Sequence, residues 1–229
     1  MTLATEQHSA NKILKPYTLW VKNETAEILD KLLEPRGYTK NDRHFMNGVT
    51  ETIEIALMKL YEEREKAYHA NLAKLQPSKD IKTVTKAAHA LGDLGERRAV
   101  LPLIDLLENT PHSVIRNAAA VALSDLGDQR AFQPIIALVQ HPKTQGDNGT
   151  LVYALQSFDC STIVPFLVDL VISGDFEVSH EAFLAIETVE EISEEDFQVS
   201  QQKIKRTLIH CEHEKVALLE DLLEIFSDE

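Results

Sequence analysis

The sequence predicts an all-α protein, a short α-solenoid of stacked helical pairs with a small N-terminal module. The stretch "ALGDLGERRAVLPLIDLL" from Ala90 returns thirty-two residues later as "ALSDLGDQRAFQPIIALV" from Ala122. Apolar residues follow the helical period around both stretches, and Gly and Pro recur at matching places. Self-similarity at this period is typical of a solenoid, because one helical pair cannot bury its apolar faces without neighbours.

Each copy reads as two helices joined by a short turn. The turns fall at Gly95 and Gly127, where we expect a left-handed backbone that needs no Cβ. Pro102 and Pro134 stand near the start of the second helices, where a missing N–H costs little. Thr110 is predicted to be the N-cap of the first helix of the second copy, with Pro111 as its first helical residue. The apolar stripes comprise Ile81, Val84, Ala88, Leu91, Val100, Leu103, Ile104, Leu107, Ile115, Ala118, Ala119, Ala122, Leu126, Phe132, Ile135, Ile136 and Val139.

Alanine is concentrated on the first helix of each copy. Small side chains let two helix axes approach closely, so we expect at least two of Ala118, Ala119 and Ala122 to be fully buried helix contacts.

The pattern continues less regularly towards the C-terminus. A third copy reads from Leu151 to Ile172 with Pro165 in place, but its turn near Asp159–Cys160 has lost the glycine. A fourth copy spans Phe176–Ile209 without the Gly and Pro markers, and an amphipathic helix ends the chain. Residues 77–229 are therefore predicted to form about four repeats plus a C-terminal capping helix.

The repeats resemble the HEAT-like repeats of the phycobilisome lyase type over about residues 78–210. The pattern of that type, an Asp/Asn-x-x-Val-Arg-x-x-Ala start followed by Leu-Gly and Ala-x-x-Pro, appears here as "HSVIRNAA", with Arg116 in the Arg position. The resemblance implies a HEAT-like α-solenoid. Proteins of this kind include chromophore lyase subunits, phycobiliprotein assembly and degradation factors, and protein-binding scaffolds.

Residues 1–76 lack the repeat and are predicted to form a separate helical module. "YTLWV" (Tyr17–Val21) reads as a short strand, and Asn23 can cap a following helix. A second helix starts at Thr39, which fits a capping-box spacing with Asp42, or at Thr50 if Asn47 and Gly48 form a turn, and it ends before Pro77.

Strand, helix, helix over residues 16–64 resembles a ribbon-helix-helix unit, a dimeric DNA-binding fold. The resemblance implies a homodimer through residues 1–76. It also implies a strand that faces DNA with either Thr18, Trp20 and Lys22 or, in the other register, Tyr17, Leu19 and Val21. A dimerisation unit without DNA contact, or a cap on the first repeat, remains an alternative.

Charge argues against nucleic acid as a partner. The net charge is −14: residues 1–76 carry 11 basic and 11 acidic side chains, and residues 77–229 carry 12 and 26. Residues 175–229 alone hold 16 acids and 4 bases, a net −12. Such a surface repels phosphate backbones.

The sequence shows no catalytic constellation. It lacks a nucleotide-binding glycine pattern, a nucleophile elbow and zinc-finger spacing, so we expect no catalytic residue, no cofactor and no metal site. "HCEH" (His210–His213) does not present its soft ligands on one helix face. Cys160 reads as an inert turn cysteine, "EEISEEDF" (Glu190–Phe197) as a solvated connection, and His141–Gly149 as the best candidate for a functional loop. No signal sequence or membrane span is evident, which predicts a cytoplasmic protein.

The leading functional hypothesis is a non-catalytic adaptor or assembly chaperone that binds another protein in the solenoid groove. We expect second helices to line that groove and a basic or amphipathic helix to fit it. The candidate contact residues are Asp105, Glu108, Gln133, Gln140 and Asp169. The alternatives are an auxiliary factor for bilin attachment or for phycobiliprotein assembly and degradation, and a DNA-binding regulator that acts through residues 1–76.

Overall fold

The computed structural model describes residues 43–76, 79–210 and 213–227, and every regular element within them is helical. The chain divides into two compact units, Met1–Glu65 and Lys66–Glu229. The boundary after residue 76 stays a prediction from the sequence. The predicted strand Tyr17–Val21, with Thr18, Trp20 and Lys22, and the helix after Asn23 lie outside the described residues.

The first described helix, α1, runs from Arg43 to Leu72. Asn47 and Gly48 lie within it, so they do not form the turn that was one of the two alternatives. Its last turns belong to the repeat unit: Tyr68 is buried, and the Arg98 guanidinium carbon lies 4.4 Å from the Tyr68 ring centroid. The end of α1 therefore covers one end of the repeat core.

Nine further helices follow in the described residues, as four pairs and a last helix. They are α2 (Ile81–Asp93), α3 (Val100–Asn109), α4 (Ser113–Leu126), α5 (Phe132–Val139), α6 (Gly149–Leu155), α7 (Val164–Ser173), α8 (Phe176–Glu187), α9 (Glu194–Leu208) and α10 (His213–Ile225). The predicted all-α solenoid is confirmed.

The first helices stack in one layer and the second helices form another. In the first layer α2 contacts α4, α4 contacts α6, and α6 contacts α8; in the second, α3 contacts α5 and α7 contacts α9. Ala118, Ala119 and Ala122 are all buried, as predicted. A Cβ added to Gly92 on α2 would lie 2.9 Å from the Cα of Ala122, so these two helices meet almost backbone to backbone.

The turns between helices follow the glycine prediction but not the cap prediction. Gly95 and Gly127 have φ of 63° and 56°, the left-handed region that favours glycine. The prediction for Thr110 is wrong: α4 starts at Ser113 with His112 as its N-cap, while the Thr110 hydroxyl accepts a hydrogen bond from the His112 N–H. Thr110 thus closes a small turn before the helix.

Two lysines attach the last helices to the third pair. Lys203 on α9 donates to both carboxylate oxygens of Asp169, at 2.7 and 2.8 Å. Lys215 on α10 donates to the carbonyls of Val171, Ile172 and Gly174 at the end of α7. Because a helix ends in unpaired carbonyls and partial negative charge, an ammonium group is stabilised there. Among the described residues, no helix is long and apolar enough to cross a membrane.

Candidate partner-binding surface

The five residues predicted to contact a partner are all exposed, on second helices or directly after one. They are Asp105 and Glu108 on α3, Gln133 on α5, Gln140 as the C-cap of α5, and Asp169 on α7. Spacings of three and seven residues place each pair on one side of its helix. The 32-residue repeat gives Asp105 and Asp169 equivalent places two repeats apart. We call these five residues the second-helix face.

The second-helix face carries less free negative charge than the sequence indicates. Asp169 is ion-paired with Lys203, as described above. The Lys143 ammonium lies 3.4 Å from the Glu108 carbonyl oxygen, which brings a second cation to the face. Asp105 accepts a hydrogen bond from the neutral Asn109 amide at 2.9 Å. Among the described residues of the face, Asp169 is the carboxylate that forms an ion pair, and the Asp105 and Glu108 carboxylates lie at the α3 end.

The loop predicted as functional, His141–Gly149, is held in place by hydrogen bonds of buried side chains. The buried Arg116 donates through Nη2 to the backbone carbonyl and the carboxylate of Asp147, both at 3.0 Å. The Thr144 hydroxyl donates to the Leu138 carbonyl, and the Asn148 amide donates to the Val139 carbonyl. Buried polar groups in such contacts hold a loop in one conformation. Sequence reasoning named the loop and Arg116 but not the contact between them.

The exposed side of this loop borders a cleft of about 450 Å³. Its opposite wall is formed by the end of α7, the turn after it and the start of α8, including Leu170, Asp175 and Val178. Gln140 of the second-helix face lines the same cleft, together with His141 and Gln145. The second-helix face and the loop therefore adjoin each other.

A larger cleft of about 800 Å³ lies between the turn after α6 and the connection from α8 to α9. The carboxylates that line it are Asp159, Glu190, Glu191 and Asp196, and no Lys or Arg does. Hydrogen bonds from Ser161, mainly from its backbone N–H, lower the pKa of Asp159 below its usual value. The segment predicted to be a solvated connection, Glu190–Phe197, thus supplies one wall of a cleft. The composition of Glu190–Phe197 predicts its negative charge, but no sequence pattern predicts that this segment lies next to the turn after α6.

Cys160 offers no reactive thiol. The residue is buried, and burial, assisted by the charge of Asp159, raises the pKa of its thiol to about 12. The Sγ donates to the Leu155 carbonyl at 3.3 Å. Since the thiolate is the nucleophilic form, this cysteine is unreactive near neutral pH.

A metal site is also not formed by the described residues: no group of three or more His, Cys, Asp or Glu side chains among them is placed to hold an ion. Of the "HCEH" stretch, His210 is exposed, and the side chains of residues 211 to 213 lie outside the description.

Residues 70–147 match the protein family described as HEAT repeats. The matched segment runs from the end of α1 through α2, α3, α4 and α5 to the anchored loop, about a third of the 229 residues. A search of curated proteins finds no match to the chain. The repeats of this chain are therefore HEAT-like, and HEAT repeats generally mediate protein–protein interaction.

Proposed function

We propose that the chain is a non-catalytic adaptor or assembly chaperone that binds a basic or amphipathic helix of another protein. The second-helix face and the adjoining cleft are the proposed contact surface. The HEAT-like repeats support the class of function, and the exposed carboxylates Asp105 and Glu108 support the charge of the partner.

The observation that carries the proposal is the excess of exposed acidic side chains in the C-terminal part of the repeats. Residues 175–229 contain only 4 bases. Of these, Lys203 is bound to Asp169 and Lys215 is bound to backbone carbonyls of α7, while Lys205 and Arg206 are exposed on α9. The acidic side chains, in contrast, are mostly exposed, including Glu190 and Glu191 in the larger cleft. A surface of this kind attracts a cationic partner and raises its association rate.

No observation on the described residues supports either alternative hypothesis. An auxiliary role in bilin attachment or in phycobiliprotein assembly and degradation rests on the resemblance of the repeats, and Cys160 provides no accessible thiol for it. DNA binding through Thr18, Trp20 and Lys22 falls on residues outside the description. Cytoplasmic location stays a prediction from the sequence.

The proposal is tested by reversing charge on the second-helix face. Proteins captured by the full chain from its host are identified by mass spectrometry, and binding of the captured partner is then measured against Asp105→Lys with Glu108→Lys. We expect affinity to fall about tenfold at low salt, with a smaller loss at high salt, because exposed charges act mainly on association. Stability should change by less than about 0.5 kcal/mol.

The matched control is Asp93→Lys with Glu187→Lys, two exposed acids on first helices that reverse the same amount of charge. It should leave affinity close to that of the wild type. The proposed surface is wrong if the face variant binds with unchanged affinity and salt dependence while deletion of residues 1–76 abolishes binding.

A further inference from the structure

The middle of α1 presents a stripe of large apolar side chains to solvent. Leu57, Met58, Leu60 and Tyr61 are 58%, 65%, 62% and 63% exposed. At 3.6 residues per turn these four positions fall within about 160° of the helix circumference. We call them the α1 stripe. Lys59 and Glu63 lie on the opposite side of the helix.

The α1 stripe is larger and more continuous than isolated surface hydrophobics. Contiguous apolar patches are uncommon on monomeric soluble proteins and usually mark an interaction site. Leu57, Met58 and Tyr61, with Glu62, line a depression of about 420 Å³, and Leu60 adds an exposed apolar side chain beside it. The same helix thus supplies both a depression and side chains able to fill one.

The distribution of charge indicates which partner covers the stripe. All of the net −14 lies in residues 77–229, and residues 1–76 sum to zero. Two copies of the chain repel each other through their repeats, and the neutral segment is where they can approach at least cost. A cationic partner, in contrast, is attracted electrostatically to the repeats, and the neutral stripe adds no such attraction.

We propose that the α1 stripe is the interface of a homodimer in which two α1 helices pair antiparallel around a two-fold axis. Such an interface uses one patch twice, so the patch must be self-complementary. When the two-fold axis crosses the helices at the level of residue 59, on the side of the stripe, Leu57 of one copy meets Tyr61 of the other. Met58 of one copy then meets Leu60 of the other.

The size of the stripe indicates a weak dimer. Four side chains, each about 60% exposed, offer at most roughly 500 Å² per copy, since even aromatic side chains bury about 150–250 Å² each. The total of roughly 1,000 Å² is at the low end of specific interfaces, so the dimer should dissociate in the micromolar range.

Sedimentation velocity of the full chain from about 1 to 100 µM tests the dimer. The wild type should shift from the 25.8 kDa monomer to twice that mass as concentration rises. Leu57→Gln with Tyr61→Gln should weaken dimerisation at least about tenfold. The control, Lys59→Gln with Glu63→Gln, makes two substitutions on the opposite side of α1 and should leave dimerisation unchanged. Circular dichroism verifies that each variant keeps its helix content.

Disulfide trapping tests the orientation independently of those variants. Chains with Leu57→Cys and chains with Tyr61→Cys, both in a Cys211→Ser background, are mixed and oxidised; Cys160 is buried and does not compete. Antiparallel pairing predicts that the mixed 57–61 disulfide dominates, whereas dominant 57–57 and 61–61 products would overturn it. A wild type that stays monomeric at about 100 µM would overturn the dimer itself and mean that the same chain or a different protein covers the stripe.

Discussion

The first two helical pairs and the last two are held to their neighbours in different ways. Between α2 and α4 the contact depends on the absence of side-chain bulk, with Gly92 against Ala122. From α7 onward the contacts depend on long polar side chains, with Lys203 and Lys215 reaching α7 from α9 and α10. Small-residue contacts need the same residue types in every copy, whereas polar contacts can be made by single residues at unrelated positions.

The turns within the helical pairs also differ between the early repeats and the third one, in the side chain that contacts the turn carboxylate. Glu96 accepts hydrogen bonds from Arg98 at 3.0 and 2.9 Å, and Asp128 accepts the equivalent bonds from Arg130 at 2.8 and 2.9 Å. In the third pair Asp159 keeps the acid, but its partner is Ser161, which donates to it mainly through the backbone N–H. The turn of the third pair therefore has the carboxylate of the earlier turns but no arginine two residues after it.

Filling the close contact between α2 and α4 should give the largest effect on stability. Ala122→Leu places three extra carbons where a Cβ on Gly92 would already come within 3.2 Å of the Ala122 Cβ. We expect a loss of about 3 kcal/mol in the free energy of unfolding, the upper end of the usual cost of overpacking. Urea denaturation at neutral pH measures it.

Ala137→Leu is the matched control for that substitution, because Ala137 is an exposed alanine on α5. It should change the free energy of unfolding by less than about 0.5 kcal/mol. Equal stability of the two variants would show that the first helices are not held by close packing.

Removing the ammonium group of Lys215 should give the next largest effect. Lys215→Met keeps most of the side-chain volume but removes the ammonium donor from the carbonyls of Val171 and Ile172, whereas the Gly174 carbonyl still accepts from the Ser179 hydroxyl. We expect a loss of about 1–2 kcal/mol, since part-buried polar groups that lose a charged partner pay part of their desolvation cost. Hydrogen exchange should show faster opening of α10 than of α4. Lys205→Met, at an exposed position on α9, should change neither quantity.

This contrast also explains how much of the fold the sequence could predict. Steric requirements determine the residue type at Gly95, Gly127 and the alanines of α4. Such requirements make the same residue types recur at a fixed period, which the sequence shows directly. The first two pairs were therefore predicted in detail, and the same region matches the HEAT repeats family. The later pairs are predicted from apolar spacing, with Pro165 as a further marker in the third pair.

The candidate surface was less predictable because its charges are set by contacts distant in sequence. That Asp105 and Glu108 are exposed follows from helical periodicity, which a sequence shows directly. That Asp169 is neutralised depends on Lys203, thirty-four residues away, and no local pattern pairs the two. The larger acidic cleft likewise needs α6 and the connection before α9 to meet, which only the folded chain reveals.

The smallest expected effect distinguishes the turns of the second and third pairs by their response to acid. The Arg130 side chain, followed by the Arg130 backbone N–H, lowers the pKa of Asp128 from 3.8 to about 2. The unfolded chain therefore binds this proton more tightly than the folded chain, so the contribution of Asp128 to stability is complete above about pH 4 and is lost as pH falls towards 2. Asp128→Asn should remove this dependence, so its difference in unfolding free energy from wild type should shrink steadily between pH 5 and about pH 2.5. The pKa of Asp159 is also lowered, but by Ser161 without an arginine, so Asp159→Asn should reduce the pH dependence of the unfolding free energy less than Asp128→Asn does. Urea unfolding of the wild type and the two variants across this pH range measures the difference. If the two variants flatten the response equally, the arginine that the third pair has lost contributes nothing to the turn, and the contrast between the early and late repeats is confined to their interhelical contacts.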